Sequence, residues 1–407
     1  MAGERPIILF TGFEPSGDDH AAAVVRRLLA MHPQVEVHAW GGPRVAEAGA
    51  TVVEETGQDA VMGVPGMAKI REHRRINARV ERWLDEHAGL VRLHVPVDSP
   101  AANFPICAMA KRRGIPVAHM VAPQIWAWGR WRIGKLRRMT DFVCCLLPFE
   151  ERFFSERGVP AKFVGHPLFD EPLDVGELDA EVAAWPEGEP KVALMPGSRP
   201  KEIERNFPLL LNAYRTLSAE YAGMRGVVAA TTEAVASRAR ALAETVGPPA
   251  GAMKGGWPGS LDLVVHNTDA AIRWADIALA VSGTVTLQIA RQRTPMVIVF
   301  RTSRLMYEVL GRWLVRTPMF SLPNLIVGRR AVPELIPHFV GHERIVRHAV
   351  ELIERPGERE RQIEALEEVA ASFEGKSAAQ GAAEVIARLA GLGSPAQPER
   401  AVEPATG

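Results

Sequence analysis

Apolar, β-branched runs recur along the first half of the chain, and each is followed by a stretch with helical spacing of its apolar positions. The runs at 7–11, 35–40, 90–97, 115–121 and 142–146 read as buried strands, with shorter ones at 51–53 and 163–165. Between them, helices are predicted at about 18–31, 45–48, 68–87, 100–113, 129–139 and 148–157. Such regular alternation predicts an α/β fold with a parallel sheet wound on both faces.

The pattern lapses at 170–191, which is acidic and rich in Pro and Gly, and then restarts. Strands are expected at 192–195, 226–230, 261–265, 277–281 and 295–300, with helices at about 200–222, 233–246, 270–274, 285–291 and 303–315. Three more helices follow at about 343–354, 358–373 and 377–389. The predicted organisation is two Rossmann-like doubly wound domains, 1–173 and 191–340, joined by a linker at 174–190. Helices at 341–392 partly return to the first domain, and 393–407 form a disordered tail.

Composition narrows the function classes. With 407 residues, 47% hydrophobic content and formal net charge +0, the chain can build a core in each domain but carries no global field for nucleic acid. Cys107, Cys144 and Cys145 have neither disulfide nor metal spacing, which fits a reducing cytoplasm. The histidines show no paired spacing, so no metal is expected, and no cofactor motif is present. No apolar run approaches the roughly 20 residues of a membrane span, and the first residues do not read as a signal peptide.

The candidate chemistry sits where predicted strands end. Ser282-Gly283-Thr284 and Gly197-Ser198-Arg199 both fall between a strand and a helix, where unpaired backbone N–H groups suit an anion. Two such turns on one sheet edge can hold one diphosphate, and Arg301, ending the next strand, adds a fork-shaped cation. Neither turn has the Gly-rich dinucleotide or P-loop spacing, which argues against NAD and ATP. The lesser alternative for Arg199 is a surface ion pair with Glu202, and Gln288 either faces a ribose or is a solvated helix position.

In the first domain Asp98 ends a strand and precedes Ser99-Pro100, so it serves equally well as a general base or as a helix cap. Ser16-Gly17-Asp18 has the same two readings, with capping by Asp18 favoured. Met62 to Met67 is apolar and expected to be exposed. Trp126, Trp128 and Trp131 accompany Arg130, Arg132, Lys135, Arg137 and Arg138 without an acidic residue between Ala101 and Thr140. Rings beside a basic helix suit an anionic membrane surface, and a buried-tryptophan helix with a solvated basic face explains them as well.

Taken in order, these motifs resemble the lipid A disaccharide synthase family, inverting glycosyltransferases of the two-domain GT-B type. The resemblance rests on Ser16-Gly17-Asp18, Gly41-Gly42-Pro43-Arg44, Val61-Met62-Gly63, Asp98-Ser99-Pro100, Gln124-Ile125-Trp126-Ala127-Trp128 and Leu147-Pro148-Phe149-Glu150. In the second half it rests on Met195-Pro196-Gly197-Ser198-Arg199 with Glu202, on Ser282-Gly283-Thr284, and on Ser321-Leu322-Pro323-Asn324. The family's glutamate is replaced by Gln288, and its Asp-Phe-Asn by Ala101-Ala102-Asn103.

The resemblance implies transfer of 2,3-diacylglucosamine from UDP-2,3-diacylglucosamine to 2,3-diacylglucosamine 1-phosphate, giving the β-1,6 disaccharide and UDP without a metal. Asp98 is then the general base. The donor is held by Gly197, Ser198, Arg199, Glu202, Ser282, Gly283, Thr284, Gln288, Arg301 and Asn324. Acceptor and lipid contacts fall to Ser16, Gly17, Asp18, Met62, Met67, Trp126, Trp128 and Arg130. The implied location is peripheral, on the cytoplasmic face of the inner membrane, and a homodimer is left open. Two other readings stand beside it: another UDP-sugar transferase or UDP-N-acetylglucosamine epimerase-like enzyme, and a non-catalytic descendant that binds UDP-sugar or lipid.

Overall fold

The computed structural model describes residues 5–56, 67–127, 129–247, 256–302 and 317–393, except the side chains of 67–70 and 130. The chain divides into two compact units, Met1–Asp170 with Gly375–Gly407, and Glu171–Glu374.

In the first unit the strands are β1 (Ile7–Gly12), β2 (Glu36–Gly41), β3 (Thr51–Glu55), β4 (Val91–Val97), β5 (Ala118–Met120), β6 (Phe142–Cys145) and β7 (Ala161–Phe163). They form one parallel sheet in the order β3-β2-β1-β4-β5-β6-β7. The helices are α1 (Pro15–Met31), α2 (Pro43–Glu47), α3 (Met67–Glu86), α4 (Pro100–Arg112), α5 (Ile133–Met139) and α6 (Pro148–Ser155). Every residue of β1 is buried, because helices cover both faces. Ile8 and Phe10 join a core with Val24, Val25 and Leu28 of α1, whereas Ile7 and Leu9 join one with Val80 and Leu84 of α3 and Ile106 of α4. This two-sided burial is why the strands read as continuous apolar runs.

The second unit has α7 (Val175–Val182), β8 (Lys191–Met195), α8 (Pro200–Glu220), β9 (Arg225–Ala230), α9 (Glu233–Thr245), β10 (Leu261–Val265), α10 (Thr268–Trp274), β11 (Ile277–Val281), α11 (Val285–Arg291) and β12 (Met296–Arg301). After the undescribed stretch come α12 (Leu322–Val327), β13 (Glu334–His338), α13 (Glu343–Glu354) and α14 (Pro356–Ala371). Its parallel sheet runs β10-β9-β8-β11-β12-β13. A final helix, α15 (Ala378–Leu389), packs against α1 and belongs to the first unit. Asp170 caps it, accepting the Ala378 and Ala379 N–H groups at 2.6 and 3.0 Å.

The stretch expected as a linker at 174–190 is folded and lies within the second unit. Asp174 caps α7 by accepting the Glu177 N–H at 2.9 Å, and Asp179 pairs with Arg273 at 2.6 Å. Trp185 lies 6.0 Å from Trp274, ring centre to ring centre. Asp179 therefore has a partner on α10 and Asp174 one on α7, which composition alone does not reveal. The expected helix at 303–315 and the tail from 394 lie outside the described residues.

In each sheet the strand order reverses once, between β1 and β4 and between β8 and β11. In open α/β sheets ligands bind outside the carboxyl ends of the strands at such switch points. Asp98 follows β4, Gly197 follows β8 and Ser282 follows β11, so the sequence-predicted groups cluster at both switch points.

Candidate active site

Gly12 and Val97 are register partners at the carboxyl ends of β1 and β4. The chain leaves β4 through a sharp corner, with Asp98 at φ 47 and Ser99 at φ 37. Two successive non-glycine residues in the left-handed region are costly, and they persist only where surrounding bonds hold them. The Asp98 N–H donates to the Met120 carbonyl at 3.1 Å. From one turn into α4, Asn103 donates to the carbonyls of Val97 and Asp98 at 3.1 and 2.9 Å. Its Oδ1 accepts the Thr11 hydroxyl at 2.6 Å, and Thr11 Oγ1 lies 2.8 Å from Nε2 of His94. Thr11 has one proton and gives it to Asn103, so His94 must donate through Nε2. Burial holds His94 at about 3 and His119 at about 4, and both imidazoles stay neutral at physiological pH.

A second carboxylate stands beside Asp98. Glu14, the residue before α1, accepts the Ser99 hydroxyl at 2.6 Å. Burial and then the Glu14 charge raise Asp98 above the usual carboxylate range, partly offset by the Ser99 backbone N–H. Such a carboxylate is a better proton acceptor than an exposed one. Sequence reasoning missed both Glu14 and Asn103. The signals available were that Glu14 stands two residues after an apolar strand and that Asn103 stands one helical turn after Ser99.

Asp18 is spent elsewhere. It is buried, and its carboxylate accepts the backbone N–H groups of Gly42, Arg44 and Val45 at 2.8, 2.9 and 3.4 Å. Through these bonds it caps α2 rather than α1. A Cβ on Gly42 would stand 2.6 Å from Asp18 Oδ2, so the glycine is needed for the close approach. Gly17 is buried at the start of α1, and Ser16 beside it is exposed.

The tryptophan segment divides. Trp126 is 7% exposed, packs edge-on against Phe149, and donates its indole N–H to Glu150 at 2.9 Å. It is therefore a core residue, which is the buried-tryptophan reading of this segment. Trp131 is 66% exposed, and Arg137 and Arg138 on α5 are solvated. Trp128, Met62 and the side chains of Met67 and Arg130 lie outside the described residues.

In the second unit Gly197 has φ 95 and lies against Glu202, where a Cβ would come within 3.2 Å of Oε2. Ser198 and Arg199 are exposed, and Arg199 pairs with Glu202 at 2.9 Å. Gly283 and Thr284 are exposed, and a Cβ on Gly283 would meet nothing within 4 Å. Thr286 steadies the turn by donating its hydroxyl to the Gly283 carbonyl at 2.8 Å. Gln288, half-buried, lies one turn further along α11. At the end of β12 the Arg301 backbone N–H donates to Asn206 at 2.7 Å, and the residue is exposed.

Asn324 makes its bonds within its own unit. It is fully buried, and Nδ2 donates to the Val332 carbonyl at 2.9 Å and to Glu334 at 3.0 Å. Oδ1 accepts the N–H groups of Ala331 and Val332, both at 2.8 Å. An amide side chain has two donors and two acceptor sites, so all are used within the protein. Among the described residues no cluster of three or more His, Cys, Asp or Glu has metal-binding geometry. No helix among them is long and apolar enough to cross a membrane.

The sequence profile of the family described as lipid-A-disaccharide synthetase matches residues 7–387. The chain belongs to the lipid-A-disaccharide synthase family. The synthase of Azotobacter vinelandii is 36% identical over 403 residues, covering 96% of this chain and 99% of that protein. That of Myxococcus xanthus is 33% identical over 397 residues, covering 94% and 97%. The chain is accordingly a glycosyltransferase.

Solved structures agree in fold with this lipid-A-disaccharide synthase family member. The kitacinnamycin glycotransferase matches with a TM-score of 0.59 at 16% identity, covering 95% of this chain and 100% of that one. The UDP-N-acetylglucosamine 2-epimerase of Neisseria meningitidis, solved with UDP-N-acetylglucosamine, matches at 0.58 and 12% identity, covering 94% and 98%. At such identities the likeness concerns the fold alone, which is GT-B.

Proposed function

We propose that the protein transfers 2,3-diacylglucosamine from UDP-2,3-diacylglucosamine to 2,3-diacylglucosamine 1-phosphate. Asp98 takes the proton of the acceptor's 6-hydroxyl as that oxygen bonds to the anomeric carbon of the donor. The bond from that carbon to the diphosphate breaks on the opposite side, which inverts the centre to a β-1,6 linkage and releases UDP. The observation that carries this reading is the Asp98–Ser99 corner, a half-buried carboxylate of raised proton affinity at a switch point of the sheet.

On the second unit, the turns at Gly197-Ser198-Arg199 and Ser282-Gly283-Thr284 supply backbone N–H groups to the departing diphosphate. Arg199 and Arg301 supply the charge, Glu202 orients Arg199, and Gln288 contacts the ribose. On the first unit, Ser16 and Gly17 at the start of α1 face the acceptor. Trp131 with Arg137 and Arg138, rather than Trp126, then forms the surface that rests on an anionic membrane.

The test is a disaccharide assay with mass-spectrometric detection over several acyl lengths. Wild type is expected to give disaccharide and UDP, and Asp98→Ala is expected to abolish both while UDP affinity measured by calorimetry is retained. Loss of UDP binding together with turnover makes Asp98 structural and removes it from the mechanism. Flotation with anionic liposomes tests the membrane surface, where Trp131→Ser is expected to reduce recovery in the floating fraction.

A further inference from the structure

Glu14 and Asp98 form a pair of carboxylates at the carboxyl edge of the first sheet. Glu14 precedes Pro15 in the N-cap position of α1, yet its side chain makes no capping bond to that helix. Its hydrogen bond goes across the sheet edge to the Ser99 hydroxyl at 2.6 Å. Neither Glu14 nor Asp98 has an ion-pair partner among the described residues. Two carboxylates left near each other without a cation destabilise the fold, and such arrangements concentrate where a proton is handled.

We infer that Glu14 is a positioning residue for the transfer reaction, acting on Asp98 through its bond to Ser99 and through the closeness of a second carboxylate. This rests on the reading of Asp98 as the general base. Holding Ser99 Oγ keeps the left-handed corner at Asp98 (φ 47) and Ser99 (φ 37) closed, and so keeps the Asp98 carboxylate at the strand end. The Glu14 charge makes loss of a proton from Asp98 less favourable and its uptake more so.

Three polar side chains on the neighbouring elements add no charge at the corner. His94 on β4 and His119 on β5 are kept neutral by burial, and Asn103 on α4 carries no charge.

Three variants separate the two effects, each read as kcat/KM against pH with thermal unfolding as the check on folding. Glu14→Gln keeps an oxygen that accepts the Ser99 hydroxyl and removes the charge. It is expected to keep plateau turnover within about tenfold of wild type while the acid limb moves to lower pH. Ser99→Ala removes the bond and keeps the charge, so kcat/KM is expected to fall with the limb in place. Asp98→Asn is the control for the underlying reading and is expected to be inactive at every pH.

An inactive Asp98→Asn together with an acid limb that stays put, or moves up, in Glu14→Gln overturns the inference about Glu14 and leaves Asp98 as base. Turnover by Asp98→Asn instead overturns the base assignment itself. Should Glu14→Gln fail to fold, the inference is also overturned, since Glu14 is then a structural residue.

Discussion

The indole N–H of Trp126 donates to Oε1 of Glu150 at 2.9 Å, and both residues are buried. Glu150 Oε2 accepts the N–H groups of Leu146 and Leu147 at 3.2 and 3.1 Å, so one carboxylate ties the tryptophan segment to the start of α6. Burial lifts Glu150 to about 7, against the three donors that favour its anion. A carboxyl whose pKa is raised on folding stabilises the folded state below its unfolded value of 4.5 and loses that contribution as pH rises to about 7. Trp126→Phe removes a donor to the anion and raises that pKa further. Its loss of stability should therefore be greater at pH 8 than at pH 5, about 1.5–3 against about 0.5–1.5 kcal/mol, as thermal unfolding at the two pH values would show.

Asn103 supports the Asp98 corner from below. Asn103→Ala strands the Thr11 hydroxyl and two carbonyls, and buried polar groups left unpaired cost about 1–3 kcal/mol each before relaxation. The expected result is a loss of about 2–4 kcal/mol in denaturant unfolding, with turnover falling more than the affinity for UDP. Asn103→Asp keeps an acceptor for Thr11 but turns an oxygen on the two carbonyls, and should be no better at neutral pH.

Asp18 offers a sharp distinction between cap and substrate ligand. Asp18→Asn leaves one acceptor oxygen for the N–H groups of Gly42, Arg44 and Val45, and turns an amide toward the rest. Stability should drop by about 1–3 kcal/mol, while KM for the acceptor in the surviving folded protein stays within about twofold. A large rise in KM with unchanged unfolding would return Asp18 to the acceptor site.

Gln288 stands where the family's glutamate is expected, one turn beyond Ser282-Gly283-Thr284. A carboxylate accepts charge-assisted bonds worth about 1.5–3 kcal/mol against about 0.5–1.5 for neutral ones. Gln288→Glu should tighten UDP by roughly tenfold in calorimetry. Unchanged affinity would mean that the ribose is held from another position on the unit.

How far the site was legible depended on the kind of interaction. Asp98 and the two turns of the second unit were visible because a strand end followed by a small-residue turn and a helix is a local pattern. Glu14, eighty-five positions from Ser99, was not, since only the pairing of β1 with β4 brings them to one edge. For Trp126 the sequence left burial and a membrane surface equally open, and for Asn324 it offered only a motif; their burial is a property of α12, β13 and α6 together.

The sequence by itself determined the α/β class, the two doubly wound halves, nearly every strand, and the family, because these follow from periodicity and from motifs in a fixed order. Tertiary structure alone decided which polar side chains are free. Asp18, Asn324 and Glu150 satisfy backbone groups distant or hidden in the chain, and a buried amide or carboxylate must take whatever partners the fold brings it. Glu14 and Asp98 have no cation beside them among the described residues, and their hydrogen bonds come from Ser99 alone.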